Sequence, residues 1–360
     1  LYSGARIWDG LRNTHGRVGQ ICWQNSLGSD SDLILSPTPV HKHHGGMIQA
    51  FYSCPDRLYD DVCSEIGCKF NLFSYWGPFT SSKSSRWICD ATCEVLKSAL
   101  APELLLAYIP HLDYDLQRHG PESAKAAKAF GEVELMIEKL LSAAKSAGYE
   151  FLIFGDYAIT PAESAVLPNK ILRENGFYPS RGKGYFYTRT VNGMLYPDLW
   201  SSRAFAMVDH QVAHVYIENP GDIEDIRNLF SKTKGVKAVH DHAKIDHRNA
   251  GDLILEAEPG YWFAYRWWDK DSEAPDYARH VDIHSKPGFD PCELFMSLWP
   301  PMSVSLDTSK IRGTHGSGTG GEDAVFCGSS IDVGEAGTII GISEKVRKML
   351  SGVMEKVKNT

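Results

Sequence analysis

The chain has 360 residues, 43% of them hydrophobic, and a net charge of −8 with 14 histidines. That length allows one large or two moderate domains around a sizeable core, and the negative balance argues against a nucleic-acid binder working through a basic surface. No apolar run reaches the roughly 18 residues that a membrane-spanning helix needs, so the expected partner is a small molecule.

The chain opens Leu-Tyr-Ser-Gly without Met, and an upstream segment is expected to be missing. A short helix from Ala5 is followed by a strand at Val18 to Trp23. The next loop holds His41, His43 and His44, a solvated or substrate-facing run beside Pro and Gly. Arg57 to Ile66 reads as a helix, the aromatic run Phe70 to Pro78 as a cleft lining, and Ser84 to Leu100 as a second helix. Leu104 to Ile109 is an apolar strand. Glu122 to Ala147 carries a helical stripe of Ala129, Val133, Met136, Ile137, Leu140 and Leu141, ended by Gly148, and Phe151 to Phe154 closes a βαβ unit of right-handed crossover.

Pro168 to Asn175 and Asp222 to Lys232 read as helices. Phe205 to Ile217 reads as strand and loop, Ala238 to His247 as a strand, and Asp252 to Trp268 as two strands about Pro259-Gly260. Residues 303 to 331 are loop-like, and a last amphipathic helix runs from Glu344 to Lys358.

The eight cysteines, Cys22, Cys54, Cys63, Cys68, Cys89, Cys93, Cys292 and Cys327, lack the close double pairs of a structural zinc site. Cys89 and Cys93 read as buried small residues one helical turn apart. A reducing compartment, cytoplasm or plastid-like, fits this usage; localisation is otherwise open.

Chemistry gathers where the apolar strands end. Asp113, Asp115, Gln117 and His119 follow the first strand, and Asp156 follows the second. In a parallel α/β sheet the carboxyl ends of strands share one edge, where ligands bind. Asp113, Asp115, His119, Asp156 and the Gly-flanked His315 are therefore candidate ligands for a divalent metal. The plainer alternative is that these acids cap helices or pair with Arg118 and Arg173. His210 and His214 share a face in helix or strand and are weaker candidates; His284 can contact phosphate, complete a metal site or orient a ligand.

Four phrases in sequence order carry a resemblance: His-Leu-Asp-Tyr-Asp-Leu-Gln-Arg-His-Gly-Pro, Gly-Asp-Tyr-Ala-Ile-Thr, Asp-His-Gln-Val-Ala-His-Val-Tyr and Arg-Gly-Thr-His-Gly. Together they resemble the type I phosphodiesterase/nucleotide pyrophosphatase family of the alkaline phosphatase superfamily, over most of residues 5 to 320. The resemblance implies an α/β fold of alkaline-phosphatase type: a central, mostly parallel sheet flanked by helices on both faces. It also implies a single catalytic domain over 1–360, with a cap-like insertion around 176–290. The implied activity is metal-dependent hydrolysis of phosphodiester or pyrophosphate bonds in a small phosphorylated substrate, a nucleotide among the candidates. Two divalent ions, zinc or else manganese or magnesium, would assist a Thr or Ser nucleophile.

The family holds one metal by an Asp, a His four residues on and a late His; the other by an upstream Asp, the nucleophile and a consecutive Asp-His pair. Here the first set falls on Asp113 and Gln117, or on Asp115 and His119, with His315. The consecutive pair falls on Asp156 and Tyr157, a phenol in place of an imidazole. Gln117, Tyr157, His210, His214 and His284 are expected to shape the site or touch substrate. The family's N-terminal strand and nucleophile-bearing segment would precede Arg6-Ile-Trp-Asp, so the chain reads as roughly a hundred residues short, and its nucleophile is unassigned. The alternatives are another chemistry of the superfamily, as phosphomonoesterase, phosphomutase or phosphonate hydrolase, or a non-catalytic ligand-binding module.

Overall fold

The computed structural model describes residues 6–12, 16–42, 47–178, 182–242, 247–282, 285–297, 303–316, 327–330 and 338–358. Its first sheet has four strands in the order Phe51–Cys54, Leu33–Pro37, Val18–Ile21, Leu104–Ala107. The last three run parallel and the first is antiparallel. Alternation along these strands decides which helices cover each face. Ile21, Leu33, Leu35, Leu105 and Ala107 pack with Trp87, Ile88 and Val95 of the helix Ser82–Lys97. Val18, Leu104 and Leu106 instead meet Trp8, Leu11 and, from the terminal helix Ile339–Lys358, Leu350. Helices thus lie on both faces, and each fully buried Leu or Ile contributes on the order of 2 kcal/mol.

The segment after Leu104–Ala107 differs from the expected strand end. Pro110 precedes a nine-residue helix, His111–His119, which buries His111, Tyr114 and Gln117 on one stripe. Proline fits the start of a helix and Asp113 in the first turn suits its dipole, so local chemistry favours helix over loop. The long helix Ala124–Ser146 follows, its N-terminus capped by the Ser123 hydroxyl accepting from Ala126 N at 3.0 Å. Beyond its end Gly148 adopts φ 76°, the left-handed position read from sequence. This helix packs on Ser82–Lys97 through Cys89, Cys93 and Met136, with both cysteines buried and unbridged.

Leu152–Phe154 pairs antiparallel with Cys327–Ser329, where a parallel ladder to Leu104–Ala107 was expected. Phe154 stays near the carboxyl end of Val18–Ile21 through an edge contact with Trp23, at 6.4 Å between rings.

A second sheet orders Ala204–Asp209, Val212–Ile217, Leu253–Ala257 and Val236–Asp241, all antiparallel. The stretch read as strand and loop is a tight hairpin turning at His210-Gln211, where His210 takes φ 52°. The helix Ile223–Ser231 buries Ile226 and Phe230 in the core of this sheet, together with Leu253, Leu255, Trp267 and Trp268. Between the two sheets, Thr160–Val166 pairs with Gly260–Phe263 on one side and Gly313–Thr314 on the other. That three-stranded sheet delivers His315.

Candidate functional site

Four segments meet at Asp113. The helix His111–His119 brings Asp113 and Gln117, which share a face because they are four residues apart. Gln117 Nε2 donates to Asp113 Oδ1 at 2.8 Å, and the Tyr157 hydroxyl donates to the same oxygen at 2.9 Å. Tyr157 follows the strand Leu152–Phe154, and its ring stacks on His315 at 3.7 Å with 11° between planes. His315 lies in turn 3.7 Å from the ring of His210, which stacks on Phe289 at 4.3 Å.

The backbone fixes these rings. Gln211 N donates to His315 O at 2.9 Å and Phe263 N to His210 O at 2.6 Å, so the hairpin turn is tied to both neighbouring strands. Arg312 N donates to Gln117 O at 2.9 Å, joining the strand of His315 to the helix of Asp113. Gly313 makes that approach feasible, because a Cβ there would run into the Leu116 carbonyl.

Charge in this cluster is unbalanced. Burial pushes the Asp113 carboxyl up to about 6; the bonds from Gln117 and Tyr157 oppose the rise, and repulsion from Asp156 and Asp209 adds to it. Burial also raises Asp156 and Asp209. None of the three forms an ion pair with Lys or Arg among the described residues. His315 is pushed down to about 4 by burial, and His210 is lowered by burial and by repulsion from His315, so both imidazoles are neutral at pH 7. The Tyr157 phenol is raised by burial and nearby carboxylates and keeps its proton.

The remaining candidates lie elsewhere. Asp115 and His119 face away from Asp113: Asp115 lies 3.9 Å from Arg118, and His119 is exposed. Arg118 itself donates to the carbonyls of Leu294, Thr80, Gly77 and Pro78, binding the helix to the aromatic loop. His214 accepts at Nδ1 from Gly251 N at 3.1 Å, a contact within its own sheet. His284, His43 and His44 lie outside the described residues, as does the His41 side chain. Trp262, Trp267 and Trp268 are core residues with at most 1% exposure. Sequence reasoning missed Asp209 as a site residue; its signal was the consecutive Asp209-His210 pair.

Residues 1–290 match the family model described as type I phosphodiesterase / nucleotide pyrophosphatase. The chain belongs to that family. The family is one of hydrolases. No curated protein matches the chain. Among solved structures, phosphonoacetate hydrolase from Sinorhizobium meliloti 1021, crystallised with phosphonoformate, is 11% identical with a TM-score of 0.44, over 80% of this chain and 59% of that one. Human ectonucleotide pyrophosphatase/phosphodiesterase 5 is 12% identical with a TM-score of 0.42, over 86% of this chain and 62% of that one. The chain therefore spans about three fifths of the length of these structures, 59% and 62%.

Family membership implies divalent metal, and the donors here fit it in part. Among the described residues, no three His, Cys, Asp or Glu side chains gather closely enough to hold an ion. The group about Asp113 is mixed: a carboxylate, an amide and a protonated phenol. Gln117 is fully buried with Oε1 lacking any hydrogen-bond partner among the described residues, and the buried Nδ1 of His210 lacks one there as well. Unpaired oxygen and nitrogen lone pairs beside uncompensated carboxylates suit a cation. Tyr157 does not, since its oxygen is committed as a donor to Asp113.

Proposed function

We propose that the protein is a metal-dependent hydrolase of phosphodiester or pyrophosphate bonds, acting on a small phosphorylated molecule at the Asp113 site. Family membership supports the bond class. What supports the site is that Asp113 lies within electrostatic reach of Asp156 and Asp209, with no Lys or Arg ion pair to any of them among the described residues, and close to two neutral imidazoles. Left alone, such a cluster repels a phosphate. A divalent cation supplies the compensating charge and polarises the phosphoryl oxygens.

The chain's own residues have separable tasks in this reading. Gln117 and Tyr157 orient the Asp113 carboxylate through its Oδ1. His315, unprotonated throughout the neutral range, offers a lone pair and no charge. Phe289 and Tyr157 hold the two imidazoles against each other at 3.7 Å with 34° between planes, and burial and the nearby Asp113 carboxylate raise the Tyr75, Tyr108 and Tyr114 phenols, which stay protonated.

A second reading, a ligand-binding module without turnover, draws on one observation: an amide and a phenol stand where the family pattern has imidazoles. Turnover of the full-length protein on bis-p-nitrophenyl phosphate, p-nitrophenyl phosphate and a p-nitrophenyl phosphonate separates these readings. Diester hydrolysis, lost in Asp113→Ala, is the expected result. Preference for the monoester or phosphonate would move the protein to another chemistry of the superfamily, and tight phosphate-ligand binding without turnover would favour the module.

A further inference from the structure

We propose that the Asp113 site takes one oxygen-preferring divalent cation, manganese or magnesium, with Asp113 and Gln117 Oε1 as protein ligands, and not a pair of zinc ions. The inference rests on the metal-dependent reading above and narrows it. Its starting point is a buried amide whose two ends are treated differently. Nε2 of Gln117 donates to Asp113 at 2.8 Å, while Oε1, in a side chain with 0% exposure, has no partner among the described residues. A buried carbonyl oxygen left unpaired is unfavourable, so a group that accepts its lone pair is stabilised there. Asp113 offers Oδ2, since both bonds it receives end on Oδ1. Carboxylate and amide oxygens are hard donors that suit magnesium and manganese, whereas zinc selects imidazole and thiolate.

The second cation is the one Tyr157 displaces. The residue beside Asp156 would have to present a lone pair; Tyr157 presents a proton, and spends it on Asp113. Its ring also covers one face of His315, stacked at 3.7 Å, which fixes that imidazole against the phenol. A zinc ion at Asp156 then lacks a nitrogen ligand from this pair.

The test is metal stoichiometry. The full-length protein is stripped with chelator, dialysed against Mn²⁺ or Zn²⁺, and assayed by elemental analysis and thermal shift, alongside Gln117→Met and the double variant Gln117→His/Tyr157→His. One manganese per chain in the unaltered protein, weakened about tenfold or more in Gln117→Met, with zinc gained by the double variant, is the expected result. Two zinc ions per unaltered chain would overturn the inference and leave the hydrolase reading standing. No metal and no turnover would overturn both; no metal with turnover intact would remove the cation from the reading altogether. The unaltered protein alone decides these outcomes, so a variant that fails to fold does not obscure them.

Discussion

The Tyr157 hydroxyl donates to Asp113 Oδ1 across 2.9 Å while the ring of the same side chain lies flat on His315 at 3.7 Å. One phenol thereby joins a carboxylate on a helix to an imidazole at the end of a strand.

Tyr157→Phe keeps the stacking and removes the donor. Hydrogen bonds to charged groups contribute about 1.5–3 kcal/mol, so a loss of stability of that order is expected above pH 6, where Asp113 is ionised. Because the lost bond favoured the charged form, the Asp113 titration midpoint is expected to move higher still. Urea denaturation and a carboxyl-resolved NMR titration check the two effects.

Asp113 also sets a pH dependence. Its folded value of about 6 lies above the ~3.9 of an unfolded chain, so the fold favours the protonated form. The sign follows from linkage: this group costs nothing below pH 4, and its ionisation reduces stability progressively as pH rises through 6. Asp113→Asn, measured in EDTA, is therefore expected to equal the unaltered protein near pH 4 and exceed it at pH 7.5 by an amount on the order of 3 kcal/mol. A variant weaker than the unaltered protein at pH 7.5 in EDTA would contradict the assignment.

Gly313→Ala is expected to reduce stability by roughly 1–3 kcal/mol and turnover by more. The added Cβ collides with Leu116 O and with Ile159 Cγ2, pushing the strand that ends in His315 off the helix that carries Asp113. Gly131→Ala, where a Cβ meets nothing within 4 Å at a half-buried helix position, is the matched control.

Arg118→Met leaves the carbonyls of Gly77, Pro78, Thr80 and Leu294 without their shared donor. A loss on the order of 3 kcal/mol is expected, and Arg118→Lys is expected to recover only part of it, because one ammonium cannot match the guanidinium fork. Thermal unfolding of the three proteins reads this directly.

Much of the architecture was legible because it follows from periodicity. The apolar run at Leu104–Ala107 marked a strand, the stripe of Ala124–Ser146 named the face it buries, and Gly148 marked a helix end. Other features were hidden for physical reasons. The stretch His111–His119 has only a narrow buried stripe among polar residues, so its helix was masked, and with it the fact that Asp113 pairs with Gln117 while Asp115 and His119 face away. The hairpin at His210-Gln211 lacks the Asn-Gly or Gly that such turns prefer; His210 adopts the left-handed conformation itself, held by Phe263 and His315. The antiparallel pairing of Leu152–Phe154 with Cys327–Ser329 depends on a partner more than 170 residues away, which no local pattern encodes. Asp156, Tyr157 and His315 were named from phrases, but the phenol's bond to Asp113 required coordinates.

The measurement that tests the central claim most directly is turnover of bis-p-nitrophenyl phosphate by the full-length protein before chelation, after it, and after manganese is restored. Activity that disappears with the chelator, returns with manganese and is absent throughout in Asp113→Ala is the expected result. Hydrolysis that persists undiminished in the chelated protein, or that survives in Asp113→Ala, would contradict a metal-dependent site at Asp113.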